Sequence, residues 1–127
     1  MRVLLDTSFI VAFLFDRDVF HHEAVSKVKH LSDTAEFYTI PLVVQETATV
    51  ICRRCRERGI DHRKALEVYE KFLESINIVD VPYSHKEILE EVKRKDCELS
   101  FVDMVLLKSS ERLKARILTF DKRLGGA

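Results

Sequence analysis

The chain has 127 residues, of which 46% are hydrophobic and 33% are charged, so it can bury a core as a single domain. Its 21 basic and 21 acidic residues cancel, which excludes nucleic-acid binding through a general positive field and leaves only local basic patches for that purpose. The odd number of cysteines, three, argues against a disulfide scaffold. With no apolar leader and no long apolar run, the sequence predicts a cytoplasmic protein that does not enter a membrane.

Short apolar runs alternate along the chain with longer segments of helical period. The first half predicts a strand at 3–5, a helix over 7–15, a helix over about 20–31, a strand at 36–40 and a helix over 41–58. Pro41 suits the first turn of a helix, and Gly59 suits the position that follows a helix. The last of these helices has an apolar stripe with the spacing of one buried face: Val44, Ala48, Ile51 and Cys55.

The second half continues the alternation. Asp61 is expected to cap a further helix, which is followed by a strand at 76–81. Ser84 with Glu87, and Ser100 with Asp103, have the spacing of capping boxes for helices that run to about 95 and 114. A last strand is predicted at 116–120, and a turn at 121–124.

This order of elements predicts the fold class. Strands separated by helices are joined by crossover connections, which produce a parallel sheet covered on both faces. We therefore expect one domain over residues 1–127, a three-layer α/β/α sandwich with a central parallel sheet of four to five strands. In open sheets of this class, ligands bind beyond the carboxyl ends of the strands where the strand order reverses.

Four acidic residues are candidates for that edge of the sheet. Asp6 and Asp121 directly follow the first and last strands, and Glu46 follows the second strand by about one and a half helical turns. Asp103 lies in the first turn of its helix, after a loop at 96–99 that the sequence alone does not place. Each acid has a purely structural alternative, as a helix cap, a turn residue or a solvated carboxylate. Asp6 and Glu46, however, lie among apolar residues, where an unpaired carboxylate costs stability.

A cluster of carboxylates favours a bound metal ion. Two carboxylates ~4 Å apart repel each other by about 4 kcal/mol at an effective dielectric of about 20, so they take up protons or a cation. Ligands that are all oxygen suit Mg²⁺ or Mn²⁺ better than zinc. Such an ion can bridge phosphate oxygens and activate water, so hydrolysis of phosphodiesters is the expected chemistry.

With these acids in this order, the chain resembles the PIN-domain nucleases and, within them, the VapC-type toxins of toxin–antitoxin pairs. The resemblance extends over essentially the whole chain and rests on four segments: Leu5-Asp6-Thr7-Ser8, Glu46, Leu99-Ser100-Phe101-Val102-Asp103 and Leu118-Thr119-Phe120-Asp121. It implies a metal-dependent endoribonuclease that forms a homodimer and has a small antitoxin partner. It also implies that the metal-binding catalytic acids are Asp6, Glu46, Asp103 and Asp121, with support from Thr7, Ser8 and Thr119.

Basic residues and cysteines supply further candidates. Lys122 and Arg123 adjoin Asp121 and are the candidates for RNA contact, in which case binding weakens as salt rises. Cys52 and Cys55 look like half of a zinc site, but they lie inside a helix, and a role in the core is the favoured interpretation.

Two other functions remain open at this stage. One is a non-catalytic binding module with the same fold, in which the acids serve only as caps. The other is a phosphotransfer enzyme with Asp6 as nucleophile, which is disfavoured because position 8 is Ser where one such class needs a second acid.

Overall fold

The computed structural model describes residues 1–125, and the last two residues of the predicted domain, 126–127, lie outside the described residues. Within that range, strands and helices alternate much as predicted. In chain order they are β1 (Arg2–Leu5), α1 (Thr7–Leu14), α2 (His21–Leu31), β2 (Glu36–Thr39), α3 (Pro41–Arg58), α4 (His62–Glu74), β3 (Asn77–Ile78), α5 (His85–Arg94), α6 (Phe101–Leu113), β4 (Arg116–Leu118) and α7 (Lys122–Gly125).

The four strands form one sheet in the order β3-β2-β1-β4, and every neighbouring pair is parallel. The chain adds β2 and β3 on one side of β1 and then returns to add β4 on the other side. The strand order therefore reverses between β1 and β4, which is where ligands bind in this class of sheet. The predicted parallel α/β architecture is confirmed, with four strands.

Helices cover the sheet in two groups. α1 packs against α2 and α3, α3 packs against α4, and α5 packs against α6, which also contacts β1 and β4. The fully buried side chains come from both groups and from the sheet: Leu4, Leu5, Phe9, Ile10, Ile51, Ile88 and Leu106. Among the described residues, no helix has the length and apolar character needed to cross a bilayer.

Local signals in the sequence account for several helix ends. Pro41 is at the start of α3, and Gly59 ends that helix with a φ of 65°, a conformation in which a side chain is strained. Asp61 caps α4 by accepting hydrogen bonds from the backbone N–H groups of Arg63 and Lys64. Ser100 and Asp103 form the complete capping box predicted for α6.

Three predicted boundaries differ from the structure. The predicted strand at 76–81 is only Asn77–Ile78, because β3 is an edge strand that pairs with the short β2 alone. The predicted strand at 116–120 ends at Leu118, since the next two residues turn to contact α1. The predicted turn at 121–124 is replaced by the single-turn helix α7, which buries Leu124.

Candidate active site

A pocket of about 400 Å³ opens at the carboxyl edge of the sheet, beside β1 and β4. Its lining includes all four acids singled out from the sequence: Asp6, Glu46, Asp103 and Asp121. The pocket therefore coincides with the point where the strand order reverses.

Different elements bring the acids to this edge. Asp6 follows β1 directly, Asp121 follows β4 after a two-residue turn, and Glu46 lies on α3, which begins just beyond β2. Asp103 is placed at this edge by the helix that precedes a strand, not by one that follows it. Because α6 leads into β4, it ends near the start of that strand and must begin at the opposite, carboxyl edge. The strand that follows α6 was thus the signal that could have placed Asp103 from the sequence.

Asp6 is buried, with 4% of its surface exposed, and both of its carboxylate oxygens accept hydrogen bonds. Oδ1 accepts from the backbone N–H of Phe9 (2.9 Å) and from Ser8 Oγ (2.8 Å), and Oδ2 accepts from Thr119 Oγ1. The bond to Phe9 makes Asp6 the N-cap of α1. The same carboxylate therefore caps a helix and faces the pocket.

The two hydroxyls that donate to Asp6 are themselves oriented by the turn after β4. The backbone N–H of Phe120 donates to Ser8 Oγ, and that of Asp121 donates to Thr119 Oγ1, each at 2.9 Å. Each hydroxyl has a single proton and donates it to Asp6, so each accepts a hydrogen bond from the turn and donates one to the carboxylate. The peptide groups of the turn thus polarise Ser8 and Thr119 towards the carboxylate.

Glu46 lies on the exposed side of α3, and the prediction that it is embedded among apolar residues is wrong. The reason is the phase of the helix, since the buried face of α3 is formed by Val43, Thr47, Ile51 and Cys55. Thr7 Oγ1 donates to Glu46 Oε1 at 2.6 Å and so holds this carboxylate beside the start of α1.

The remaining two acids have partners close by in the sequence. Asp103 accepts a hydrogen bond from the backbone N–H of Ser100 at 3.0 Å. Asp121 forms a two-pronged ion pair with Arg123, with Nε to Oδ1 at 3.2 Å and Nη2 to Oδ2 at 3.1 Å. Arg123, a predicted RNA contact, is therefore paired with a predicted metal ligand, whereas Lys122 is exposed.

The pocket shifts the pKa values of two acids in opposite directions. Burial raises the pKa of Asp6, and the nearby negative charge of Asp103 adds to this, while the bonds from Thr119, Phe9 and Ser8 oppose it. The hydrogen bond from Arg123 lowers the pKa of Asp121. Removing a negative charge at the two positions should therefore have opposite consequences.

These shifts predict opposite pH dependence for two matched variants in EDTA. Folded Asp6 holds its proton more tightly than the unfolded chain, whose pKa is near 3.8, so its ionisation costs stability as pH rises through the raised pKa. Asp6→Asn should thus gain in Tm relative to wild type as pH rises from 4 to 7. Asp121→Asn should lose in Tm relative to wild type as pH rises from strongly acidic values to about 5, and the difference should then stay constant, because the pKa of folded Asp121 lies below the unfolded value and its ionised form pairs with Arg123. Thermal unfolding measured against pH tests both, and parallel trends would contradict the assignment.

The four carboxylates of the pocket suit a hard divalent cation, but they lie too far apart, as placed, to bind one ion together. Within residues 1–125, no three His, Cys, Asp or Glu side chains lie close enough together to hold a metal ion as placed. Each acid instead keeps its own local partner. All four groups are carboxylates, which are the ligands that Mg²⁺ and Mn²⁺ prefer. For an ion to bind, the carboxylates would have to move closer together, and they could do so while still accepting hydrogen bonds, because each has two oxygens.

Several residues that line this pocket were not predicted from the sequence to do so, among them Asp18, Phe20, Arg54 and Phe120. Of these residues, Arg54 has a signal in the sequence. It lies two further turns along α3 from Glu46, at i+8, and this spacing could have placed both residues on one face. The guanidinium of Arg54 pairs with Asp18 at 2.7 Å, and the Asp18 side chain is only 8% exposed.

A parallel sheet with this strand order and acids at its switch point defines a nuclease-like α/β fold of the PIN type. The sequence profile of the PIN domain matches residues 3–126, and the chain belongs to the PIN domain family, whose members are nucleases. The family predicted from the sequence is confirmed. No individually curated protein sequence matches the chain.

Solved structures with the same fold include toxins of the VapC type. Mycobacterium tuberculosis VapC20, described as a Sarcin-Ricin loop cleaving toxin, is 25% identical with a TM-score of 0.76, over 98% of this chain and 93% of that one. PAE2754 from Pyrobaculum aerophilum is 19% identical with a TM-score of 0.73, over 98% and 77%. VapBC2 from Rickettsia felis, bound to a promoter DNA fragment, is 16% identical with a TM-score of 0.65, over 94% and 86%.

Proposed function

We propose that this chain, as a single domain over residues 1–127, is a divalent-metal-dependent endoribonuclease and the toxin of a toxin–antitoxin pair. The observation that carries the proposal is the gathering of four carboxylates around one pocket at the switch point of a PIN-type sheet. The similarity to VapC20, a Sarcin-Ricin loop cleaving toxin, supports RNA as the substrate class.

In this proposal the chain's own residues position the acids and the RNA. Asp6, Glu46, Asp103 and Asp121 would hold Mg²⁺ or Mn²⁺, and the bound ion would supply positive charge for phosphate oxygens and a lowered pKa for a coordinated water. Ser8 and Thr119 keep Asp6 in place, and Thr7 does the same for Glu46. Lys122, and Arg123 once it is released from Asp121, contact the phosphate backbone.

The partners follow from the same family. The Rickettsia felis neighbour is a complex of two proteins, which supports an antitoxin for this chain. We include a homodimer in the proposal on the resemblance to VapC-type toxins. The three cysteines are unpaired in the described residues, as suits the reducing cytoplasm.

A non-catalytic binding module is the second candidate. It is favoured by the observation that each acid of the pocket already has a structural partner. Phosphotransfer by Asp6 finds less support, because this carboxylate is buried and both of its oxygens accept hydrogen bonds from the protein.

The deciding experiment incubates the protein with single-stranded and hairpin RNA in Mn²⁺, Mg²⁺ or EDTA. We expect cleavage at internal positions with either ion and none in EDTA. Calorimetry with Mn²⁺ separates the alternatives, since a protein that neither binds the ion nor cleaves RNA would be a binding module. Cleavage that persists in EDTA would contradict the metal-dependent mechanism.

A further inference from the structure

Three phenylalanine rings from distant parts of the chain form a parallel stack. The rings of Phe9 and Phe120 are 5.5 Å apart with an interplanar angle of 6°, and those of Phe120 and Phe20 are 4.5 Å apart with an angle of 4°. Phe9 is 1% exposed, Phe120 is half-buried, and Phe20 is 40% exposed. The stack therefore leads from the core to the surface and ends in a ring that is open to solvent.

The outer part of the stack belongs to the acidic pocket. Phe20 and Phe120 line it together with the four carboxylates, and so does Val19, which is 87% exposed. A cation lies beside the stack, since Lys27 Nζ is 5.6 Å from the centre of the Phe120 ring. A flat apolar ring next to a positive charge suits a nucleotide, which offers a flat base and a negative phosphate.

Two hydrogen bonds hold the backbone around Phe20. Asp18 Oδ1 accepts a hydrogen bond from the backbone N–H of Phe20 at 2.9 Å, while its Oδ2 pairs with Arg54 on α3. On the other side, His21 Nδ1 lies 2.9 Å from the carbonyl oxygen of Ala12 on α1. The stack on Phe120 restrains the ring itself, so the Phe20 side chain has little conformational freedom left to lose when another ring stacks on it.

We propose that Phe20 is the stacking site for one unpaired nucleobase of the RNA strand that enters the acidic pocket. The inference rests on the proposed function and narrows its substrate class. A base within a duplex is stacked on both faces and cannot lie on Phe20, so the RNA must present a base from a single strand, a loop or a bulge.

The test uses a short single-stranded oligoribonucleotide that contains 2-aminopurine, whose fluorescence falls when it stacks. Binding is measured in Ca²⁺, and a gel confirms that the RNA stays intact. Phe20→Ala should lose the quenching and bind about 5- to 100-fold more weakly, and Phe20→Leu, which keeps apolar volume, should do the same. Phe20→Tyr should behave as wild type. Leu89→Ala, at a 47% exposed apolar residue of α5 outside the pocket, is the control and should change nothing.

The outcomes separate the stacking site from the nuclease activity. If Phe20→Ala, or a correctly folded Phe20→Leu, showed the same quenching and affinity as wild type, Phe20 would not be a stacking site for a base. A protein partner would then be the better candidate for contact with this ring. An oligomer that lacks the base at the 2-aminopurine position should bind equally to wild type and Phe20→Ala. If the wild type cleaves no RNA in Mn²⁺ but quenching still depends on Phe20, the stacking site stands and the nuclease proposal fails.

Discussion

Asp6→Asn should reduce RNA cleavage in Mn²⁺ by about 1,000-fold or more while the protein remains folded. The carboxylate is the buried acid of the pocket, and a divalent ion contributes several kcal/mol of charge stabilisation to phosphoryl chemistry, where each ~1.4 kcal/mol is tenfold in rate. Asn keeps the shape of Asp and one oxygen to accept from Phe9 and Ser8, but it removes the charge. Cleavage rates, with Mn²⁺ affinity from calorimetry, provide the measurement.

Asp61→Asn is the matched control for this variant. Asp61, like Asp6, has an extended backbone and caps a helix, in its case through Arg63 and Lys64, but it lies outside the acidic pocket. Cleavage by Asp61→Asn should equal that of wild type. If Asp6→Asn kept a tenth or more of the wild-type rate, the carboxylate would not be a metal ligand in the reaction.

Thr119→Val should lower the free energy of unfolding by about 1–3 kcal/mol, although Val has nearly the shape of Thr. The hydroxyl donates to Asp6 and accepts from the backbone N–H of Asp121, so its removal leaves a partly buried donor and a carboxylate oxygen without partners. Cleavage should also fall, by about 10- to 100-fold, because Asp6 loses a group that orients it. Chemical unfolding and cleavage rates measure the two effects.

Two further variants isolate the hydroxyl of Thr119. Thr119→Ser keeps the donor and should restore most of the stability and activity. Thr49→Val removes an exposed hydroxyl of α3 that bonds only to the carbonyl oxygen of Gln45, and it should change little. A Thr119→Val protein with wild-type stability would show that Asp6 does not depend on this bond.

The elements with local signals were predictable from the sequence. Helix α3 begins at Pro41 and ends before Gly59 as predicted, because the ring of Pro and the missing side chain of Gly determine the backbone on their own. The length of β3 was not predictable, since an edge strand extends only as far as its single neighbour. Its last contact is the bond from the N–H of Val79 to the carbonyl oxygen of Thr39.

The candidate site was predictable in its location but not in its contacts. Asp6 and Asp121 could be placed because the first directly follows β1 and the second comes only two residues after β4. Glu46 could not be assigned an exposure, because Val43 and Val44 are both apolar and allow two phases of the helix, of which packing selects one. The stack of Phe9, Phe120 and Phe20 depends on tertiary packing between distant segments, and a local pattern does not reveal it.

The hydrogen bonds between Ser8, Thr119 and Asp6 join residues that are 111 and 113 positions apart in the chain, so they are synthesised at very different times. A ribosome that has made the chain as far as α6 has produced Asp6, Glu46 and Asp103, but not the peptide groups that orient Ser8 and Thr119. The nascent polypeptide therefore lacks a finished pocket until residue 121 has left the exit tunnel. If the protein cuts RNA, translation itself delays that ability until the segment after β4 has emerged.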